Sequence, residues 1–231
     1  MEIPLFLAMT AGEVRSAAYF PEHLAWMACH FSAYGLGLSN LPKDLPPGSM
    51  LILGDRIPIC GHDPCLVAET LCKAAQDLRC SCILLDFQRS TGEAHAIIKE
   101  ILASAHCPVG VSESYAGEFD CPVLLPPIAP HRPLAEALSA WNGREIWLEL
   151  SAEGTQITVT AEGSQYTPIP FYEPADTAHF EEALHCHYEI TVTDKQISFH
   201  LGRTEADWKA LLEEAKQFGV TQAVGLWQEL G

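Results

Sequence analysis

The sequence predicts an α/β fold, a trimmed (β/α)8 barrel of the TIM type with a small β-rich insertion between strands 7 and 8. Eight short apolar runs occur along the chain, and several of them are continuous stretches of Val, Ile and Leu. Such runs are typical of parallel strands that are covered on both faces. An open doubly wound sheet is the alternative, but no Gly-rich phosphate loop follows any of the runs.

Length and composition fit one barrel near the lower size limit. The chain has 231 residues, of which 48% are hydrophobic and 19% charged, so it can bury a full core. A typical barrel of this type has about 250 residues. We therefore expect one barrel domain over residues 1–150 and 203–231, with some helices missing, and an insertion over 151–202.

The predicted strands and helices alternate through the barrel. The eight predicted strands are 3–9, 34–38, 50–55, 82–88, 108–113, 122–125, 145–150 and 222–228. The spacing of apolar residues predicts helices over 21–31, 63–78, 90–102, 134–141 and 204–218. Ser90 with Glu93 and Thr204 with Asp207 fit capping boxes at two helix starts, and Gly219 predicts the end of the last helix.

Residues 151–202 break this alternation. Apolar and polar residues alternate with a period of two around Ile157 and again between Tyr188 and Phe199, which predicts strands. The step Asp194-Lys195 predicts a hairpin turn between two of them. We therefore expect a small β-rich unit after the seventh barrel strand.

The charge of the chain limits its partners. Thirteen Lys and Arg face thirty Asp and Glu, which gives a formal net charge of −17. An acidic chain repels phosphate backbones and anionic lipid surfaces, so neither nucleic acid nor a membrane is an expected partner. The N-terminal segment lacks the basic region of a signal peptide, and we expect a cytoplasmic or otherwise intracellular protein. The oligomeric state stays open.

The nine cysteines predict neither a disulfide framework nor a metal site. Their number is odd and the chain is long enough to fold without disulfide bonds, so we expect mostly reduced thiols. Cys60 and Cys65 lack the second ligand pair of a zinc site. In the separate segment His185-Cys186-His187, only the two histidines share a strand face. Nothing in the sequence indicates a low thiol pKa at Cys65. We expect no metal and no cofactor.

Candidate site residues are expected at the carboxyl ends of the strands, where barrels of this type hold their active sites. Alternation places Asp86 on the inward face with Gln88 beside it, and the same parity groups Glu149 with Trp147. Acids at several strand ends, with aromatic rings nearby, suit a neutral, polyhydroxylated ligand. The candidates are Asp86, Glu149 and Glu113 for catalysis and Gln88, Asp55, Trp227, Tyr115 and Trp147 for substrate binding.

The order of elements and two short motifs resemble the family 18 glycoside hydrolases, chiefly their chitinase-like and spore-cortex-hydrolase-like bacterial members. In that family the fourth strand carries Asp-x-x-Asp-x-Asp-x-Glu, an insertion follows the seventh strand, and the last strand ends in a Trp beneath the sugar. Here the fourth strand reads Ser81-Cys-Ile-Leu-Leu-Asp86-Phe-Gln88, the insertion falls at the equivalent place, and the last strand reaches Trp227.

The resemblance implies an amino-sugar ligand, but the position of the general acid Glu holds Gln88. The next Asp survives as Asp86, the two outer Asp positions are not acidic, and the Tyr-Asp pair of the sixth strand is missing. An amide cannot donate a proton at neutral pH, so we expect hydrolysis to be impaired by a factor on the order of 10²–10⁴ unless Glu113 or Glu149 replaces the acid.

Two function hypotheses therefore stay open. The first is a glycosidase that acts on an amino-sugar polymer, with Asp86 as electrostatic helper and Glu149 or Glu113 as the acid. The second is a non-catalytic barrel that binds a glycan or a protein partner. Each residue also has a structural alternative: Asp86 as acceptor of backbone N–H groups, Glu149 as part of a surface ion pair, and Trp227 as a core residue.

Overall fold

A closed barrel of eight parallel strands forms the body of the computed structural model, which describes residues 2–32, 35–37 and 45–231. Strands and helices are numbered in chain order, and β3 (Gly35–Gly37) pairs antiparallel with β2 outside the barrel. The pairing of β1 with both β2 and β14 closes the barrel. This confirms the predicted fold class. The barrel strands are β1 (Leu5–Thr10), β2 (Leu24–Ser32), β4 (Met50–Gly54), β5 (Cys82–Asp86), β6 (Val109–Ser112), β7 (Val123–Leu125), β8 (Ile146–Leu150) and β14 (Val220–Leu226).

The helices cover the outside of the barrel unevenly. Thr204 and Asp207 form the predicted capping box, whereas the helix predicted from Ser90 is capped by Thr91, whose hydroxyl accepts from the N–H of Ala94 at 3.1 Å. Between β6 and β7 the chain makes only a single 3-10 turn, so the barrel is trimmed there. The helices are α1 (Ala11–Ser16), α2 (Pro64–Asp77), α3 (Gly92–Ser104), α4 (Leu134–Leu138), α5 (Glu205–Ala215) and α6 (Trp227–Leu230).

The prediction for the second barrel strand is wrong. The helix expected over 21–31 is replaced by strand β2, and the described part of the strand expected over 34–38 is β3; residues 34 and 38 lie outside the described part of the chain. Leu24, Ala25 and Trp26 are completely buried, because β2 fills the gap between β1 and β4. Closure of the barrel here outweighs the helix propensity of Leu, Ala and Met.

Trp147 fills the barrel interior. Its side chain is completely buried in the inner cluster, and its ring lies against Gly110 of β6. A Cβ at Gly110 would lie only 2.5 Å from this ring, so the glycine makes room for the tryptophan. Because side chains alternate along a strand, Glu149 points to the same side as Trp147 but one step nearer the carboxyl end of the barrel.

The residues between β8 and α5 form an antiparallel sheet, as the alternating pattern predicts. Its order is β10-β9-β13-β12-β11. The predicted hairpin turn is confirmed, because Thr193 N–H donates to the carbonyl of Gln196 at 2.9 Å between β12 and β13. The strands are β9 (Gly154–Thr160), β10 (Gly163–Ile169), β11 (His179–Glu181), β12 (Cys186–Val192) and β13 (Ile197–Gly202).

Polar contacts attach the inserted sheet to the barrel. His187 and His185 lie 2.8 Å from the carboxylates of Asp207 and Glu214 on α5. The buried guanidinium of Arg203 donates to backbone carbonyls on both sides of this junction. The sheet is therefore held by charged groups at its barrel end.

Three further findings concern the described part of the chain alone. No helix in it is both long and apolar enough to cross a lipid bilayer. The cysteines whose side chains are described are all free thiols. No group of three or more His, Cys, Asp or Glu side chains within these residues is arranged to hold a metal ion.

Candidate functional site

Asp86 ends β5 and points into the barrel mouth. Leu84, two residues earlier, belongs to the inner cluster, so alternation brings the carboxylate of Asp86 to the same side. The side-chain amide of Gln88 donates to Oδ1 of Asp86 at 2.5 Å, and the hydroxyl of Ser112 on β6 lies 3.3 Å from the same oxygen. These two partners fix the orientation of the carboxylate, while neither bonds to Oδ2.

The backbone that carries Gln88 is fixed by Asp55, which follows β4. One carboxylate oxygen of Asp55 accepts from the N–H of Gln88 at 3.0 Å, and the other accepts from the N–H of Arg89 at 2.8 Å. The side chain is buried, with an exposed fraction of 4% for the residue. Asp55, predicted to bind substrate, therefore lies beneath the loop and holds it in place.

Tyr115 and Ser114 hold the same loop from the β6 side. The phenol of Tyr115 donates to the carbonyl of Arg89 at 2.6 Å, and the hydroxyl of Ser114 donates to the carbonyl of Phe87 at 3.2 Å. Burial raises the pKa of Tyr115, which keeps the phenol a donor. Tyr115 is completely buried, so it supports the site from below instead of lining it.

Glu149 on β8 is the most perturbed acid at the mouth. Burial raises its pKa most, and together with the negative charges of Asp86 and Glu229 it brings the pKa to about 7. The carboxylate of Glu229 itself accepts from the Ser151 hydroxyl and the Ala152 N–H, both at 3.0 Å. Glu149 therefore keeps its proton to a higher pH than a free glutamate does.

An open cleft of about 330 Å³ joins these groups at the carboxyl ends of β5 to β8. It contains three of the predicted site residues, Gln88, Glu113 and Glu149, which lie at the carboxyl ends of three different strands, β5, β6 and β8. Lys, Arg and His are missing among the described residues that line it. The remaining lining residues are Ser112, Ser114, Leu124 and Pro126.

The structure places the two predicted tryptophans away from this cleft. Trp147 is completely buried beneath it. Trp227 is the first residue of α6 and lines a separate opening with Tyr19, whose ring centroid lies 5.8 Å away in an edge-on arrangement. The chain turns into a helix at Trp227, so the strand alternation expected there does not hold.

Sequence reasoning missed the serines of the site. Ser112 and Ser114 flank Glu113 at the end of β6 and contact Asp86 and the loop that carries Gln88. Their position at a strand end was the available signal, but hydroxyl groups are too common in loops to be singled out from one sequence.

Comparisons by sequence find no relative: no protein-family model matches the chain, and no curated protein matches it.

Comparison of structures does find related folds. The spore cortex-lytic enzyme SleL of Bacillus cereus aligns with a TM-score of 0.57 and 10% identity, over 100% of this chain and 71% of that one. The C-terminal domain of a putative chitinase from Desulfitobacterium hafniense gives 0.55 and 10%, over 98% and 93%. A chitinase from Chromobacterium violaceum gives 0.53 and 13%, over 99% and 94%. At these identities the likeness shows the fold, and it confirms the predicted chitinase-like and spore-cortex-hydrolase-like barrel.

Proposed function

We propose that this protein binds an amino-sugar glycan in the cleft at the carboxyl end of the barrel and that its hydrolysis is impaired. The observation that carries the proposal is the convergence of Gln88, Glu113 and Glu149 on one open cleft beside Asp86. Active sites of (β/α)8 barrels lie at this end. The structural neighbours bear the names chitinase and spore cortex-lytic enzyme, which supports a glycan as the ligand.

The chemistry of the cleft suits a polyhydroxylated ligand with an amide substituent. Carboxylates accept from sugar hydroxyls and from an acetamido N–H, and the amide of Gln88 can both donate and accept. Ser112 and Ser114 add hydroxyl groups, while Leu124 and Pro126 offer apolar surface to a sugar ring. Asp86 keeps one carboxylate oxygen without these side-chain partners, which leaves it to accept from the ligand.

Impaired hydrolysis follows from Gln88. By the resemblance to family 18 enzymes, this position carries the acid that protonates the leaving oxygen. An amide at the same place can hold the sugar but cannot supply the proton, and loss of a general acid costs a factor on the order of 10²–10⁴.

Calorimetric titration with chitotetraose, the tetramer of N-acetylglucosamine, tests the binding. We expect the wild type to bind and Gln88→Ala to bind at least about tenfold more weakly, because the variant loses a hydrogen-bonding side chain in the cleft. Gln165→Ala is the matched control, since Gln165 is an exposed glutamine on β10 of the inserted sheet. Absence of binding by the wild type, or equal affinity of all three proteins, would contradict the proposal.

A second candidate function is slow hydrolysis with Glu149 as the acid. Its raised pKa, about 7, is the specific observation in its favour, since a general acid must hold a proton near the working pH. Glu149 would give its proton to the glycosidic oxygen as the bond to the sugar carbon breaks. Asp86 would stabilise the positive charge that develops on the sugar. Glu113 is exposed, which makes it a weaker candidate for the same role.

Release of a chromophore from a chito-oligosaccharide distinguishes the two candidates. If Glu149 is the acid, Glu149→Gln reduces a measurable wild-type rate at least about a hundredfold, while Glu145→Gln leaves it unchanged. Glu145 precedes the same strand at the opposite end of the barrel and is exposed. A wild-type rate equal to that of Glu149→Gln would reject the enzymatic candidate and leave binding as the function.

A further inference from the structure

The open cleft at the barrel mouth carries acidic groups that no other side chain engages. Glu113 and Glu149 line it, and Asp86 lies beside it in contact with Gln88. Neither Glu113 nor Glu149 makes a side-chain hydrogen bond or an ion pair with another residue in the described part of the chain. Both carboxyl groups are therefore left to solvent or to a ligand.

The charges that act on Glu149 are of one sign. After burial, which is the largest cause, the negative charges of Asp86 and Glu229 raise its pKa, which reaches about 7. A positive group close to a carboxyl group lowers the pKa of that group. A cation bound in the cleft would therefore oppose the shift at Glu149 and favour its charged form, an interaction that a neutral ligand does not offer.

Arginines on three loops at this end of the barrel are engaged by other groups. The guanidinium of Arg89 donates to the backbone carbonyl of Asp55 at 3.3 Å, and Arg132 lies 3.7 Å from the carboxylate of Glu136. Arg203 donates to three backbone carbonyls and lines a separate, smaller cavity. None of the three is among the described residues that line the cleft, so the negative charge of the cleft has no compensation from them.

The nitrogen of an amino sugar is the group that can use this charge. In an N-acetylated sugar the nitrogen is part of a neutral amide and has one N–H to donate. Without the acetyl group it is a primary amine, which is protonated in mildly acidic solution and then has three N–H donors and a positive charge. Hydrogen bonds from a charged donor to a carboxylate are about twice as strong as those between neutral groups. The ring hydroxyls of the two sugars are the same, so the nitrogen alone distinguishes them.

We propose that the cleft selects amino sugars whose amino group is free and positively charged over their N-acetylated counterparts. Glu113 and Glu149 are the residues that determine the selection, with Asp86 beside them. The proposal rests on the proposed function, because it concerns the ligand of that same cleft. An acidic sugar is the poorest ligand of the three kinds, because its carboxylate meets like charges.

Calorimetric titration with the tetramers of glucosamine and of N-acetylglucosamine tests the selection. At about pH 6 and about 0.15 M salt, we expect the wild type to bind the glucosamine tetramer at least about tenfold more tightly than the acetylated one. At about pH 9 the amines of the ligand are neutral, and we expect the two dissociation constants to agree within about threefold. The ratio of the two constants is the quantity compared between proteins.

Glu113→Gln and Glu149→Gln each remove one carboxyl group from the cleft. We expect the ratio at about pH 6 to fall at least about threefold in both variants. Glu145→Gln is the matched control, because it changes the net charge equally at the opposite, amino end of the barrel, where the residue is exposed. Its ratio should equal that of the wild type. Both ligands are measured on the same protein, so a loss of folded material affects both titrations alike.

A tighter glucosamine tetramer, with a ratio that falls in both cleft variants and not in Glu145→Gln, supports the proposal. A wild type that binds both tetramers equally, or the acetylated one more tightly, overturns the selection and leaves the proposed glycan site in place. A preference that persists in both cleft variants overturns it as well, because the preference then comes from the overall charge of the chain. Failure to bind either tetramer contradicts the proposed function itself, and the selection with it.

Discussion

The side-chain amide of Gln88 donates to the carboxylate of Asp86 at 2.5 Å across the end of β5. The contact joins an amide donor to a carboxylate acceptor and so orients the side chain of Asp86. A glutamate at position 88 would instead face a like charge, which raises the pKa of one of the two carboxyl groups. In the proposed function this pair takes the positions of an acid and its helper, with an amide in place of the acid.

Gln88→Glu is therefore expected to create or enhance hydrolysis. The new carboxyl group replaces the amide on a loop that Asp55 and Tyr115 hold in place, and its proximity to Asp86 favours the protonated form. We expect the release rate from a chromogenic chito-oligosaccharide to rise at least about a hundredfold over the wild type. Gln165→Glu, which adds the same charge on the inserted sheet, leaves the rate unchanged. A Gln88→Glu protein that binds the substrate without turning it over contradicts the expectation.

Glu149→Gln is expected to change how stability depends on pH. The folded protein keeps a proton on Glu149 up to a pKa of about 7, whereas the unfolded chain loses it near 4.5. The free energy of unfolding therefore falls as the pH rises between these values, by about 3 kcal/mol. Glu149→Gln lacks the titrating group, so its free energy of unfolding does not show this part of the decrease. The difference in the free energy of unfolding between variant and wild type therefore shifts in favour of the variant from pH 4 to pH 8. Urea denaturation at both pH values measures the difference, and Glu145→Gln should keep the wild-type slope.

Tyr115→Phe is expected to loosen the loop that carries Gln88. The variant removes the hydrogen bond from the phenol to the carbonyl of Arg89 and leaves that carbonyl without this donor. We expect a loss of about 1–2 kcal/mol in the free energy of unfolding and weaker binding of chitotetraose. Tyr19→Phe removes the hydroxyl of an exposed tyrosine and is the control for stability. Wild-type stability and affinity in Tyr115→Phe would show that the hydrogen bond does not hold the loop.

Gly110→Ala is expected to destabilise the barrel through Trp147. The added methyl group would lie 2.5 Å from the indole ring, and the completely buried ring has little space to move. We expect a cost of about 1–3 kcal/mol and a change in tryptophan fluorescence. Gly117→Ala has open space around its added atom and serves as the control. Equal stability of the two variants would show that the interior adapts to the methyl group.

The sequence predicted the parts of the fold that rest on local pattern. Continuous apolar runs identified seven of the barrel strands, and the period of two identified the inserted sheet. Strand β2 was missed because Leu24-Ala-Trp-Met-Ala contains the good helix formers Leu, Ala and Met, and the closure of the barrel between β1 and β4 makes it a strand. Pairing between strands that lie far apart in the sequence leaves no pattern in the local sequence.

The candidate site was predictable where strand parity decides it. Parity placed Asp86 and Glu149 at the barrel mouth, and the motif placed Gln88 beside Asp86. Parity could not tell that Asp55 and Tyr115 use their polar atoms on the backbone of a neighbouring loop. It also failed for Trp227, because the helix α6 begins at that residue. Such roles depend on loop paths, which one sequence does not determine.

A crystal structure of the wild-type protein with chitotetraose tests the central claim most directly. Our account predicts sugar density in the cleft at the carboxyl ends of β5 to β8, with hydroxyl or acetamido groups within hydrogen-bond distance of Gln88 and of Glu149 or Asp86. The same soak of Gln88→Ala should show weaker density at that place. Sugar bound only at another surface, or no sugar at saturating concentration, would contradict the account.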